Sequence, residues 1–441
     1  MGGATAPFIL GPLTKEASLS PTLEALLGSA MFVGMWVGSF VGGAISDSLG
    51  PGRTMGLALL GLAVCGSAPA ALPATAPYAV AGRLTVGFSL VNTYQAGNTY
   101  LAESVPTAMR TAYLTALHIA IAIGGLLCIA AATIVRPEAW RELLALVAVA
   151  AAGALAIVGP FVLLHESPRW LLVVGKEAEA CALLRRIAAS ERGLLNDGRP
   201  LRLRLSTNSP DSSSEAPTAR LRGEQSSASY SSWRGKMHQL RHRTLWQLHL
   251  SGCLVAFCLN FGAKGSEIWL NAYIDELHLN DSTSPTWLET HFSRVVYFGL
   301  IAGKIVGDLF NLVAGQWLGR LRSLQLSFCC AGACVLLISQ TRSLWLLLVL
   351  ATAQGAFQDL LWCNVYVYLA EAFPTSIRST AFGLAMGVGR SGGVASTAIG
   401  GAVSSKQLAF LLYGIAFFVG AASVCFLGKE TSGRPLRDAV L

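Results

Sequence analysis

The feature that most constrains this chain is a succession of apolar runs, each long enough to cross a lipid bilayer. They fall at about residues 23–46, 55–73, 78–101, 111–134, 142–164, 245–270, 291–315, 323–341, 344–369, 379–401 and 406–427. Spanning a hydrocarbon core of about 30 Å at 1.5 Å per helical residue takes about 20 apolar residues. Inside that core each backbone N–H and C=O must be satisfied within its own segment, so eleven such runs predict an all-α membrane protein. Only 13% of the 441 residues are charged, against about 25% in soluble domains.

Ahead of the first run, Ala4–Leu13 supplies too few apolar positions to cross alone and reads as the end of a helix whose beginning is missing. Between residues 166 and 243 the apolar runs stop, and 206–232 is dense in serine, with Pro210 and Pro217, a composition that cannot bury a core. The expected organisation is therefore a helical half at 1–165 with its first helix incomplete, a cytosolic loop at 166–243, a six-helix half at 244–428 and a cytosolic tail at 429–441.

The net charge of +8 is a loop property, because 14 of the 32 Lys and Arg residues lie between 165 and 243, and no nucleic-acid partner is expected. Arg53, Arg110, Arg169, Lys176, Arg241, Arg243, Arg320, Arg322, Arg378, Lys429, Arg434 and Arg437 flank one end of the spans. Only Lys15, Arg136, Arg141, Arg342 and Lys406 flank the other, which makes the first end cytosolic. The connection 271–290 then faces outward and carries a glycosylation sequon at Asn280. The ten cysteines include no CxxC pair, so neither a disulfide framework nor a metal site is expected. The N-terminus lacks the basic segment of a cleavable secretory signal.

An internal repeat divides the chain. Tyr100-Leu101-Ala102-Glu103-Ser104-Val105-Pro106-Thr107-Ala108-Met109-Arg110 returns as Tyr368-Leu369-Ala370-Glu371-Ala372-Phe373-Pro374-Thr375-Ser376-Ile377-Arg378, and Gly87 maps onto Gly355 at the same offset of 268. A fainter match sets Gly38, Gly42, Asp47, Gly50 and Arg53 against Gly307, Asn311, Gln316, Gly319 and Arg322. Parallel membrane repeats of this kind are the sign of a secondary transporter that exposes a midplane site alternately to either side.

These residues resemble the major facilitator superfamily. Gly43, Asp47, Gly50 and Arg53 look like its signature turn, with Pro51-Gly52 inserted before the Arg. Gly82-Arg83 through Tyr100, Glu103, Pro106 and Arg110 resembles its fourth-helix signature, and Glu166-Ser167-Pro168-Arg169 and Glu430-Thr431-Ser432-Gly433-Arg434 match its later ones. The closest likeness is to the branch of organic cation and anion transporters and synaptic-vesicle-protein relatives. The resemblance implies two six-helix halves, a small-molecule substrate with a co-transported proton as an option, a lipid environment, a monomer and no cofactor. In that branch a basic eleventh-helix residue goes with anions, and Arg390 stands there. The implied function is carriage of a small organic ion, an anion favoured. A non-transporting membrane or vesicle protein of the same fold, or a sugar or cation porter, is the alternative.

Ionisable residues inside spans cost about 2.5–3.5 kcal/mol each and need partners, water or a purpose. Lys264 with Glu267 and Lys304 with Asp308 have the spacing of helix-face pairs. Arg83 has a structural reading and a cavity-lining one. Asp359 is either a protonatable carboxyl or the cross-bundle partner of Arg390, which sits about 16 Å into its span. Candidate substrate-binding residues are Arg390, Asp359, Lys264, Lys304, Trp362, Tyr366 and Tyr94, with Phe357 and Trp269 as further cavity-lining aromatics, whereas His118 and His249 read mainly as core. The loop charges Asp47, Arg53, Glu103, Arg110, Glu166, Arg169, Glu371, Arg378 and Glu430 form a candidate gating network, with Glu103–Arg110 and Glu371–Arg378 as expected pairs. No Gly-x-Ser-x-Gly, His-Glu-x-x-His or phosphate-binding Gly-Lys-Ser/Thr motif is present, so neither catalytic residues nor ATP-driven pumping is expected.

Overall fold

The computed structural model describes residues 21–71, 76–105, 109–134, 140–164, 166–195, 233–278, 287–374, 377–403, 405–428 and 430–432. Among them the chain forms fourteen α-helices and no strand. Eleven coincide with the apolar runs: α1 (Pro21–Leu49), α2 (Pro51–Ala71), α3 (Ala76–Ser104), α4 (Arg110–Ile134), α5 (Trp140–Leu164), α9 (Arg243–His278), α10 (Trp287–Leu318), α11 (Arg320–Gln340), α12 (Leu344–Ala372), α13 (Arg378–Ala402) and α14 (Lys406–Val424). Three more, α6 (Pro168–Val173), α7 (Glu177–Leu195) and α8 (Trp233–Leu240), occupy parts of the long connection. That connection is therefore not wholly irregular: Trp170 and Leu171 of α6 bury themselves against Ala180 of α7, a small core that runs of spanning length do not reveal. Ala4–Leu13, the serine-rich stretch 206–232 and Asn280 lie outside the described residues.

Six helices, α1, α9, α10, α11, α12 and α14, are long and apolar enough over their described residues to cross a membrane by composition alone. Others are diluted by interior polar groups. Helix α3 buries Asn92, Gln95, Asn98 and Thr99, and α13 buries Ser379, Thr380 and Ser396. The outer surface is the reverse of a soluble protein's, with Ile157 80%, Val313 72% and Trp345 67% exposed. A belt of large bare apolar side chains is stable only against lipid, and the protein is an integral, multi-pass membrane protein.

The repeat reappears in the packing. Helix α3 lies on α1 as α12 lies on α10, and α5 lies on α2 as α14 lies on α11. Gly87 of α3 presses on the Met31 carbonyl of α1, and Gly355 of α12 presses on the Leu300 carbonyl of α10, at corresponding positions. A β-carbon at either glycine would overlap main chain, so close helix approach requires Gly there. The turns after α1 and α10 both pass through left-handed glycines, Gly50 (φ 98°) and Gly319 (φ 75°). The halves meet where α13 packs on α1 and α10 on α4.

Replacing Gly87 or Gly355 with Leu should destabilise the fold by about 1–3 kcal/mol or more, the usual cost of overpacking. Thermal unfolding in detergent, followed by size-exclusion chromatography, checks this. Gly153→Ala, at a position with nothing within 4 Å of an added β-carbon, should be close to neutral.

Candidate functional site

Two polar constellations lie within the bundle, one deep between the halves and one at the end flanked by basic residues. The deep one draws on six helices. Tyr94 of α3 meets Tyr366 of α12 edge-to-face at 4.6 Å, and its hydroxyl lies 3.0 Å from Nε2 of His118 on α4. Trp362, one turn before Tyr366, is 5.9 Å from it and carries the Lys264 ammonium over its face at 5.9 Å. Arg390 of α13 reaches the Tyr366 hydroxyl and the Met386 carbonyl, the latter at 3.4 Å. The combination of aromatic walls, a few placed polar groups and two basic groups, Lys264 and Arg390, is that of a candidate small-molecule site.

The charges of this region pair differently from their spacing. Glu267 accepts from Lys264 at 2.8 Å, as the i,i+3 spacing predicts, and also from Lys304 of α10 at 3.1 Å. Lys304 therefore turns to α9 rather than to Asp308 on its own helix, where the expected i,i+4 bond is replaced. Asp308 is fully buried, no donor among the described residues reaches either of its oxygens, and it faces Asp359 and His118. Arg390 and Asp359 form no ion pair with each other or with any other described residue. Phe357 and Trp269 pack against the core, as partly buried side chains. His249 also sits in the core, edge-on to Phe373, and Arg83 lies partly buried in α3.

At the other constellation the carboxylates cap helices. Asp47, at the end of α1, accepts from the backbone N–H groups of Ser379 at 3.1 Å and Thr380 at 2.9 Å and from the Thr380 hydroxyl, tying the first half to the positive N-terminus of α13. Glu166 accepts from the backbone of Gly52 at 2.7 Å and Arg53 at 3.0 Å at the start of α2. Glu430 does the same for Arg320 at 2.9 Å and Leu321 at 3.1 Å at the start of α11. Burial pushes the Glu166 carboxyl above its ordinary pKa, with those donors pulling back against it. Burial also pushes Glu430 up, but four backbone donors outweigh it and hold the group below its ordinary value, so it is ionised at neutral pH.

The expected within-repeat pairs are exchanged for others. Glu103 takes Arg378 of the opposite half at 2.6 Å, with Ser167 donating to its second oxygen at 2.6 Å. Glu371 lies 3.5 Å from Arg320 and accepts from Thr431 at 2.8 Å. The reason is geometric. Each motif Arg opens the helix after its Glu, and the α13 N-terminus is packed onto α1, so Arg378 points across the seam between halves. The Arg53 side chain is exposed, and Arg169 sits partly buried in the first turn of α6. The Arg110 side chain lies outside the described residues. Sequence reasoning missed the role of Ser167 and the contact between Asp308 and Asp359. The intramembrane acids were visible, but their partners come from helices remote in sequence.

A bundle of repeated membrane helices with a polar constellation deep between its halves is the architecture of a transporter-type membrane protein. The family model of the Major Facilitator Superfamily matches residues 1–338 and 305–439, and the chain belongs to that family. It is 27% identical to organic cation/carnitine transporter 7 of Arabidopsis thaliana, covering 98% of this chain and 89% of that protein. It is 28% identical to the synaptic vesicle 2-related protein of Bos taurus (98% and 76%) and 24% identical to the niacin transporter NiaP of Acinetobacter baylyi (98% and 91%). The fold is also that of the proton:xylose symporter XylE bound to 6-bromo-6-deoxy-D-glucose, with a TM-score of 0.74 at 16% identity over 99% of this chain and 94% of that one. The protein is a transporter-family membrane protein and not an enzyme.

The Glu103–Arg378 bond joins the two halves at the basic-flanked end, and removing one partner of a buried pair costs about 3–5 kcal/mol. Arg378→Ala, and Glu103→Gln beside it, should speed maleimide labelling of a cysteine placed at Ser39, which is buried where α1 faces α13. Labelling at the parental rate in both would contradict a latch.

Proposed function

We propose that this protein carries a small organic anion across the membrane by alternating access, as a secondary active or facilitative transporter, with Arg390 as the anion-binding group. The observation that carries this reading is the state of Arg390. It is a permanent cation about 16 Å into its helix, only partly buried, beside a tyrosine hydroxyl and near an aromatic wall, and it forms no ion pair with any described residue. A guanidinium in such a place is costly until an anion joins it, and a carboxylate can do so through two parallel hydrogen bonds. Lys264 and Lys304 are neutralised in part by Glu267, which leaves Arg390 as the group that selects charge. Trp362, Tyr366 and Tyr94 supply flat apolar surface for the remainder of a small solute.

Of two relatives' names, niacin denotes a carboxylate, whereas the other couples organic cations with carnitine, a zwitterion that carries a carboxylate beside a quaternary ammonium. The loop network supplies the other half of the cycle. Asp47 and Glu103 hold the halves together at the end expected to face the cytosol, and their release would open the site to that side. A co-transported proton belongs to the same reading.

The test is uptake into proteoliposomes of labelled nicotinate, carnitine and tetraethylammonium, by the parent and by Arg390→Lys, Arg390→Ala and Asp359→Asn variants. Loss of a hydrogen bond to a charged group is worth about 1.5–3 kcal/mol, so Arg390→Ala should lower anion uptake by roughly 10- to 100-fold. Lys should restore only part of it, because an ammonium offers no planar fork. Anion uptake at the parental rate in both Arg variants would refute the assignment.

A further inference from the structure

We propose that Asp308 and Asp359 form a buried proton-binding site, sharing one proton between their carboxyl groups, with His118 as the base through which that proton is exchanged. Asp308 on α10 is fully buried, His118 on α4 is 2% exposed, and their ligand atoms and that of Asp359 on α12 all lie within 4.8 Å of one another. The Asp308 carboxyl is in hydrogen-bonding reach of the Asp359 carboxyl. Neither oxygen of Asp308 receives a hydrogen from any described donor.

Two bare carboxylates at that separation in a low-dielectric interior repel one another strongly. The arrangement is stable when one of them is an acid that donates to the other, as in paired catalytic carboxyls. The surroundings favour this over a bound metal ion. Lys304, one helical turn from Asp308, is a cation beside the pair, and it is already bonded to Glu267, which also holds Lys264. From α3, Tyr94 faces the pair through its hydroxyl at His118, and from α12, Cys363 and Tyr366 complete the shell. Arg320 lies beyond Cys363, and Arg390 lies beyond Tyr366. Among the described residues this leaves one ammonium and one imidazole around the pair, enough charge to balance a singly ionised pair but too much to welcome a divalent ion.

The exchange step is a simple transfer. The O–H bond of the carboxylic acid breaks, an N–H bond forms on the neutral His118 ring, and the two carboxylates then face an imidazolium. Water reaching His118 when the bundle opens removes that proton. The connection Asp308/Asp359–His118–Tyr94–Tyr366–Arg390 joins the acid pair to the proposed anion group through named contacts. Proton binding stands on the geometry of the pair; coupling of that proton to substrate movement rests on the anion-transport reading above.

Infrared difference spectra of the purified protein in lipid, titrated across neutral pH in H2O and D2O, test proton binding without any substrate. The parent should show a protonated carboxyl stretch persisting at neutral pH that disappears in both Asp308→Asn and Asp359→Asn, each folded by size-exclusion chromatography. A parent without that band, or a band unchanged in both variants, overturns the proposal. So does stoichiometric Zn2+ binding by calorimetry that is lost in Asp308→Asn. For coupling, the probe is nicotinate. An inward proton gradient should drive its accumulation by the parent, and Asp359→Asn, at a matched amount of folded protein, should lose this by about tenfold or more, in the usual range of coupling. Gradient-driven accumulation intact in both Asn variants refutes the coupling. Parental vesicles that move no nicotinate count against the anion reading, and the infrared result still decides the proton pair.

Discussion

A charge taken out of water into a helical membrane bundle must find an opposite charge, a hydrogen-bond donor or a proton, and nearly every distinctive contact of this protein answers that requirement. Glu267 is held by two lysines from different helices. Glu103 is held by an arginine and a serine. Asp47, Glu166 and Glu430 are held by backbone N–H groups at helix starts, which offer both donors and the positive end of the helix dipole. Were any of these acids unsatisfied, the desolvation penalty would exceed what neighbouring apolar packing could offset. The helices are consequently locked at the positions where such partners exist.

The two halves use the same parts in unequal ways. Glu166 and Glu430 cap corresponding helices beside corresponding left-handed glycines, and Glu103 and Glu371 each receive a hydroxyl from the residue that follows the capping Glu. The seam, by contrast, is not symmetrical. Asp47 reaches the N-terminus of α13, whereas the matching position of the other half is Gln316, which carries no charge. Divergence of the repeat thus gathers the carboxylate contacts between the halves at the start of α13, from Asp47 of α1 and Glu103 of α3. The contact of α10 with α4 relies on neutral bonds, such as Asn311 to Thr115 at 2.9 Å.

The deep site has a comparable division of labour. Tyr94 and Tyr366 stand between a basic group on α13 and the acids on α10 and α12, with Tyr94 turned to His118 and Tyr366 to Arg390. Such an arrangement keeps Arg390 from being neutralised by Asp359. On the proposed reading it leaves the cation for a ligand and the acids for each other.

The sequence by itself determined the membrane class, the places and approximate ends of eleven long helices, the repeat, and which residues were too costly to lie in hydrocarbon without a reason. Those features are local: run length, composition and self-similarity do not depend on how the helices are arranged. It also supplied the i,i+3 bond of Lys264 and Glu267, because a helix fixes that distance. Tertiary structure alone decided the rest. Lys304 turned to Glu267 and not to Asp308, Arg378 to Glu103, and Asp359 to Asp308 and His118. Each of those partners lies on another helix, tens to hundreds of residues away in the chain. Which helix faces are brought together depends on close packing at glycines such as Gly87 and Gly355 and on the turn of each half against the other, and no spacing along the chain encodes that.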